Sequence, residues 1–332
     1  MVEARGPKRR VLWTWIVPTA LAAVLLYFSL RGVEWAHVWR IIAGARWGWL
    51  VAAALTTCAS SFLRGLRWRV LLNAAAHFDV LTVFWATMAG YLGNAFLPAR
   101  AGEVVRTLLI SSRSSLTRTY VLTTALSERM MDAIALVLWS SVVLIEVHPK
   151  PEWLDRLSRT LALAAAAGVI AVAVLPHTGS LCEAVIQRLP LPKGLRPAVL
   201  HLVDQVLLGL RTFHDLRRLL TFAAYTAVIW TLDGWGAVLV AQGLGVPIGF
   251  TQGALLICGM GLGSALPSTP GYVGIYQFVA VSVLTPFGVS KDDALALILV
   301  IQALGYVVIT AFGLPGLYQG RAAAKVSGQV HT

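Results

Sequence analysis

The feature that most constrains this chain is a series of long apolar runs, at 11–30, 47–63, 80–97, 119–147, 159–176, 219–243, 250–266, 272–287 and 293–317. A bilayer core about 30 Å thick takes roughly 20 helical residues to cross, and several of these runs are that long. They are continuous and do not alternate, which argues against a β-barrel. Charged residues make up 13% of the sequence, about half the share in a soluble domain. The class is therefore an all-α, polytopic helical membrane protein, read as a single transmembrane domain over 1–332.

The net charge is +12. In a soluble protein that would suggest nucleic acid. Here the positive residues cluster at helix ends, so the positive-inside rule is the better account and nucleic acid is not an expected partner. Cys58, Cys182 and Cys258 are far apart, without a CxxC pair, and indicate neither a disulfide framework nor a zinc site. The basic start, Arg5 to Arg10, precedes a run too long for a signal peptide, and Arg31 and Glu34 stand where small cleavage-site residues belong. The first run is expected to be a retained helix.

Basic flanks set the expected orientation. Arg5, Lys8, Arg9 and Arg10 place the N-terminus in the cytoplasm, and the second span returns there at Arg64, Arg67 and Arg69. Segment 80–112 then holds an apolar run, a break at Pro98 and a short second limb ending near Arg113 and Arg118. A re-entrant hairpin keeps both of its ends cytoplasmic. Segment 250–287 repeats the pattern around Pro267 to Gly274, and the last run brings Arg321, Lys325 and the C-terminus to the cytoplasm. Span, broken hairpin, span thus occurs at 47–147 and again at 219–317, within halves 11–147 and 159–317, with opposite topology, the plan of an inverted repeat. Plain crossings throughout are also compatible with the runs. Between the halves, 177–218 is an amphipathic linker with Leu195, Val199, Leu202, Val203, Val206, Leu207, Leu210 and Phe213 at helical spacing. It is read either as lying on the cytoplasmic interface or as packing against another part of the protein.

Ionisable residues at membrane depth are costly and need partners or a water-filled cavity. Two clusters stand out. In the first, Asn94 and Pro98 precede Arg100, Glu103 and Arg106, spaced i, i+3, i+6 on one side of the second limb. Arginine forks bond two phosphate oxygens at once, and the start of a helix also favours an anion. Three uses are open to this segment: a phosphate clamp, internal neutralisation by Glu103, or snorkelling to the interface. In the second cluster, Glu128, Arg129 and Asp132 lie about 15 Å into their span. Glu128 and Asp132 share a helix face, and salt bridges to Arg100 or Arg106 are expected. A desolvated carboxylate there could also carry a proton. Asp233 lies alone mid-span, and Gln277 follows the second break, where Pro267, Pro270, Gly271 and Gly274 mark unwound backbone. Such backbone is tolerated at depth only against protein or a cavity.

The order Asn-x-x-Leu-Pro-x-Arg-x-Gly-Glu-x-x-Arg (Asn94 to Arg106), then Glu-Arg-x-x-Asp (Glu128 to Asp132), then Pro-x-x-Pro-Gly-x-x-Gly (Pro267 to Gly274) resembles the lysylphosphatidylglycerol synthase transmembrane family, also called flippase-like domain proteins. The resemblance implies a lipid-flipping module. In multiple peptide resistance factors that module moves aminoacylated phosphatidylglycerol and is followed by a soluble aminoacyltransferase domain. This chain ends at Thr332, soon after its last span, so the synthase activity of the family name is not expected. Stand-alone members are linked to hopanoid and glycolipid pathways. Many members carry Glu where Gln277 stands, which weakens a proton-coupled role for that position here.

The expectation is an inner-membrane lipid transporter that is not an enzyme and uses no cofactor or metal. Its partners would be membrane lipids: an anionic or aminoacylated phospholipid, a glycolipid or a hopanoid. A homodimer is one option for its assembly. Asn94, Arg100, Glu103, Arg106, Glu128, Arg129, Asp132, Asp233, Pro267, Pro270, Gly271, Gly274 and Gln277 are the candidate substrate-binding residues. A membrane transferase acting on a polyprenyl phosphate or lipid-linked sugar, and an accessory subunit, are the alternatives.

Overall fold

A computed structural model describes residues 7–97, 101–145, 152–174, 215–264, 266 and 269–329, together with positions 184, 186–189, 196, 197, 199, 200, 203, 207 and 213. Among the described residues every regular element is helical, and the chain is an all-α polytopic membrane protein. In lipid, backbone polar groups must be satisfied within the segment, so a long apolar run becomes a helix. The helices are α1 (Pro7–Leu30), α2 (Trp35–Ala43), α3 (Trp47–Leu72), α4 (Val80–Phe96), α5 (Gly102–Ser111), α6 (Arg118–Ile145), α7 (Glu152–Val174), α8 (Leu216–Leu244), α9 (Phe250–Gly263), α10 (Ile275–Leu284) and α11 (Lys291–Gln329). Each expected run holds one of them. The short amphipathic α2 was not expected; its nine residues are too few to stand out as a span.

By length and composition alone, α3, α8 and residues 291–319 of α11 are long and apolar enough to cross a membrane. Helix α6 is as long, at 28 residues, but carries Glu128, Arg129 and Asp132 in its middle. The two broken pairs have short second limbs: α5 and α10 have 10 residues each. At about 1.5 Å per residue each reaches about 15 Å, half the hydrocarbon thickness. Neither limb can cross alone, as broken hairpins require.

The described residues fall into two compact units interleaved along the sequence. The first gathers Met1–Ser60, Tyr91–Gly102 and Trp230–Phe312; the second gathers Ser61–Gly90, Glu103–Ile229 and Gly313–Thr332. This division cuts across the halves 11–147 and 159–317.

In the first unit α9 and α10 form a tight pair. A Cβ on Gly259 would stand 2.7 Å from Val279, and one on Gly263 2.9 Å from Ile275. Lipid tails are as apolar as side chains, so close packing through small residues supplies the helix association that burial supplies in water. Ala53, Ala237, Ala241, Ala280 and Ala294 line the same core. At one end of this unit Lys291 Nζ donates to the carbonyls of Phe28 (3.3 Å) and Arg31 (3.1 Å), capping the C-terminus of α1. At the first break, Asn94 Oδ1 accepts the Gly102 N–H at 3.0 Å, tying the end of α4 to the start of α5.

The second unit is built on Trp68, Leu72, Ile110, Val121 and Phe222, all buried. Gly65 sits 3.1 Å, measured from a built Cβ, from the Phe84 backbone and so lets α3 and α4 approach closely. Most of the amphipathic linker, including Leu195, Leu202, Val206 and Leu210, lies outside the described residues. Phe213 is described: it is buried, edge-on to Phe222 at 5.1 Å, so at this position the linker packs against protein.

Candidate functional site

The second unit contains a closed cycle of six charged side chains. Helix α3 supplies Arg67. Helix α5 supplies Glu103 and Arg106, one turn apart, and α6 supplies Glu128, Arg129 and Asp132. Arg67 forks onto Asp132, with Nη1 to Oδ1 at 2.5 Å and Nη2 to Oδ2 at 2.8 Å, and Nη2 also reaches Glu128 Oε1 at 2.9 Å. The other Glu128 oxygen accepts Arg106 Nη1 at 2.7 Å. Arg106 Nε donates to Glu103 Oε2 at 2.5 Å, and Arg129 Nε donates to Glu103 Oε1 at 2.9 Å. Arg129 Nη1 lies 3.8 Å from Asp132 Oδ2 and closes the cycle. Three guanidiniums alternate with three carboxylates, so the formal charge is zero.

Aromatic and polar groups complete the two buried arginines. The Arg67 guanidinium lies 4.9 Å from the Phe222 ring centroid, and its Nη1 donates to Thr226 Oγ1 at 3.2 Å. The Arg106 guanidinium lies 4.5 Å over Trp68, while its Nη2 donates to the Ala125 carbonyl at 3.3 Å. Trp68 is itself fixed by its Nε1–H to Thr124 Oγ1 at 3.2 Å. Stacking together with a forked hydrogen-bond pattern is what arginine offers and lysine does not.

Burial is graded around the cycle. The side chains of Arg67 and Glu128 are fully buried and Arg106 is 1% exposed; Asp132 is 9%, Glu103 16% and Arg129 39% exposed. The cycle is therefore open at one corner, at Arg129 and Glu103. The opposite side is sealed, as buried charges require when each is paired.

The structure thus brings together Glu103, Arg106, Glu128, Arg129 and Asp132, five of the candidate residues. Arg100 lies outside the described residues. The third arginine of the cycle is Arg67: the sequence places it in a cytoplasmic basic flank, whereas the fold buries it fully inside α3's packing. The available signal was that α3 runs on through apolar Val70, Leu71 and Leu72, so Arg67 is inside the helix and not at its end. Arg106 is held by two carboxylates, which is the internal-neutralisation use of this segment.

The remaining candidates belong to the first unit. Asn94 braces the first break. Asp233 accepts a hydrogen bond from Ser60 Oγ at 2.5 Å. Pro267 lies outside the described residues, and Pro270 opens the 3₁₀ turn Pro270–Tyr272. The Gly271 carbonyl accepts from Tyr306 Oη at 2.6 Å and from Gln302 Nε2 at 3.1 Å. Gln277 accepts the Gly274 N–H on Oε1 at 2.7 Å and donates from Nε2 to Gln302 Oε1 at 2.6 Å. Gln277, Gln302 and Tyr306 therefore bond the unwound backbone of the second break at Gly271 and Gly274. Gly271 and Gly274 have φ of 73° and 92°, the left-handed region that glycine enters without strain.

The family model described as "Lysylphosphatidylglycerol synthase TM region" matches residues 15–313. A curated relative, glycosyltransferase AglD of Haloferax volcanii, is 24% identical over 308 residues, covering 83% of this chain and 49% of that protein. The chain spans about half the length of the curated relative it matches.

Proposed function

The chain belongs to the lysylphosphatidylglycerol synthase TM family, and from that premise we propose that it carries a phosphate-bearing lipid head group across the cell membrane, with the Arg129 corner of the ionic cycle as the point of contact. It acts as a transporter and not as an enzyme, and both termini lie in the cytoplasm.

The observation that carries this reading is the graded burial of the cycle. Arg129 is the exposed arginine, and both carboxylates it faces have a second, buried arginine. Glu103 keeps Arg106 and Asp132 keeps Arg67 when Arg129 turns to another anion. A lipid phosphate can therefore exchange onto the Arg129 fork while the sealed Arg67–Glu128–Arg106 side stays intact. No buried carboxylate is left without a cation, which would cost about 3–5 kcal/mol. The acyl chains remain in lipid while the head group is held.

The test is a dithionite-protection assay on proteoliposomes carrying labelled phosphatidylglycerol. Wild-type protein accelerates equilibration between leaflets, Arg129→Ala slows it at least tenfold, and Arg129→Lys falls between. Equal rates for wild type and Arg129→Ala would sink the site. Empty-liposome rates with wild type would sink the transport reading.

A second reading is favoured by the name of the Haloferax volcanii relative: a membrane transferase acting on a lipid-linked sugar or polyprenyl phosphate. Turnover of a labelled sugar nucleotide by purified protein supplied with polyprenyl phosphate would support it over transport.

A further inference from the structure

The second unit carries charge that the ionic cycle does not use, at the end where α3 and α5 finish and α4, α6 and α8 begin. These ends meet over one apolar core, in which Leu72, Phe78, Ile110 and Phe213 are buried and against which Leu116 and Leu219 pack. Tyr120, in the first turn of α6, is close enough to the start of α8 to feel the charge of Arg218. Two pairs of arginines stand there. Arg113 and Arg118 flank the turn between α5 and α6, and Arg217 and Arg218 open α8. The segments that meet, 69–82, 109–122 and 213–222, contain the acids Asp79 and Asp215, and both serve the backbone. Asp79 Oδ2 accepts the N–H of Leu81 at 2.9 Å and of Thr82 at 3.3 Å. Asp215 Oδ1 accepts those of Arg217 at 2.9 Å and Arg218 at 3.4 Å. Asp215 Oδ2 also lies 3.4 Å from Arg218 Nε, but that pair is exposed and therefore weak. Arg113, Arg118 and Arg217 make no ion pair among the described residues. Arg113 is half-buried, and its Nε is buried without a hydrogen-bond partner among them. A guanidinium drawn out of water without an anion is costly, so this corner gains from a negatively charged ligand.

The positive-inside rule explains why arginines gather on one side of a membrane. It does not require a fold that spends the local acids on backbone and leaves two arginine pairs at one end of a unit. We propose that the two pairs hold the head group of a lipid with two phosphates, of the diphosphatidylglycerol type, as a resident ligand that is not moved across the membrane. One phosphate lies on the forks of Arg113 and Arg118, the other on those of Arg217 and Arg218, since a guanidinium bonds two phosphate oxygens at once. Arg118 and Arg217 stand in the first turns of α6 and α8, where the helix dipole adds to the attraction. The neighbours favour a lipid over a free anion. Leu216 and Leu220, beside Arg217 and Arg218, are 66% and 59% exposed, and Leu81, at the start of α4, is 56% exposed. Exposed leucines suit acyl chains and arginines suit phosphates, so the border between them marks the head-group level. A lipid seated there ties the α5–α6 turn to the start of α8. The inference stands apart from the transport reading and uses none of the six residues of the ionic cycle.

The experiment is the thermal midpoint of the purified full chain in neutral detergent with four additives at equal phosphate: tetraoleoyl diphosphatidylglycerol, dioleoyl phosphatidylglycerol, dioleoyl phosphatidylcholine and inorganic pyrophosphate. A ligand bound only by the folded chain raises the midpoint, and diphosphatidylglycerol should raise it by about 4 °C or more. Phosphatidylglycerol should give less than half that rise, and phosphatidylcholine and pyrophosphate none. The rise should vanish when Arg113→Gln, Arg118→Gln, Arg217→Gln and Arg218→Gln are combined, and persist in Arg129→Ala. Native mass spectrometry of wild-type protein after delipidation and incubation with an equimolar lipid mixture needs no variant to fold, and should show diphosphatidylglycerol as the dominant adduct. Equal rises with the two glycerol phospholipids would overturn the two-phosphate ligand, and a rise with pyrophosphate matching that of the lipid would overturn a lipid site. Loss of the rise in Arg129→Ala, or its survival in the combined variant, would place the lipid elsewhere and sink the inference. None of these results bears on leaflet exchange, so the transport reading stands or falls separately.

Discussion

Arg106 and Glu128 lie twenty-two residues apart in sequence and meet at 2.7 Å, with 1% and 0% of their side chains exposed. Glu128 also bonds Arg67, so it is the carboxylate that joins the two sealed arginines. Glu128→Gln keeps the shape and removes the charge, leaving two buried guanidiniums short of a counter-ion. Removing one partner of a buried pair costs about 3–5 kcal/mol. The expected outcome is a large drop in thermal midpoint in detergent, or loss of monodisperse protein.

Arg129→Ala should behave in the opposite way although it belongs to the same cycle. Its side chain is 39% exposed, and exposed ion pairs contribute about 1 kcal/mol or less. Its thermal midpoint should stay close to wild type while lipid movement falls. A destabilisation equal to that of Glu128→Gln would show that the two corners are not energetically distinct.

Arg67 and Asp132 form the bidentate link of the cycle. Arg67→Leu alone leaves Asp132 with only the 3.8 Å contact to Arg129, and Asp132→Leu alone leaves Arg67 to Glu128, which Arg106 also holds. The double variant removes both charges and should recover much of the loss, because replacing a buried pair with apolar residues is often close to neutral. A double-mutant cycle of thermal midpoints reads this directly. Simple additivity would contradict the geometry.

The glycines of the second break should not be equivalent. A Cβ on Gly274 would stand 2.6 Å from the Ala22 backbone oxygen, which cannot yield cheaply. A Cβ on Gly271 meets the hydroxyl of Tyr306, the far end of a side chain. Gly274→Ala should therefore be the more damaging, and Tyr306→Phe should partly rescue Gly271→Ala but not Gly274→Ala. Both also carry the strain of positive φ, about 1–3 kcal/mol. Helical content and yield of the four variants decide it.

Trp35, Trp39, Trp47 and Trp49 are all exposed around α2 and the start of α3. Tryptophan collects at the head-group level of bilayers. In liposomes, fluorescence quenching by shallow brominated lipids should fall when Trp39 and Trp47 are both changed to Phe, whereas quenching by deeply brominated lipids should change little.

Much of this fold was legible because lipid leaves an apolar run few options. Runs 80–97 and 119–147 became α4 and α6 within a few residues, and the break after Leu97 was marked by Pro98. The acidic and basic pairs of α5 and α6 were also legible, because charge at depth demands a partner. What could not be read was which arginine answers. Arg64, Arg67 and Arg69 look alike in a basic flank, and only the packing of α3 in the second unit turns Arg67 inward. Gln277 posed the same problem. As a departure from a family pattern it signalled a missing charge; in the fold its amide spans two hydrogen-bonding groups, one on either side, as a carboxylate would not. Asp233 is held by the hydroxyl of Ser60, a partner that hydropathy does not reveal.

The closed cycle also has a consequence for how the chain enters a membrane during synthesis. Arg67 and Arg106 leave the ribosome before Glu128 and Asp132 exist. Helix α6 then arrives with two acids and an arginine near its middle, each of which resists insertion by about 2.5–3.5 kcal/mol when alone. Neither α5, too short to cross, nor α6, too charged, is stable in lipid by itself. That cost is removed only when the six groups pair, so the charges of α3, α5 and α6 are neutralised in lipid as a set of three helices and not span by span.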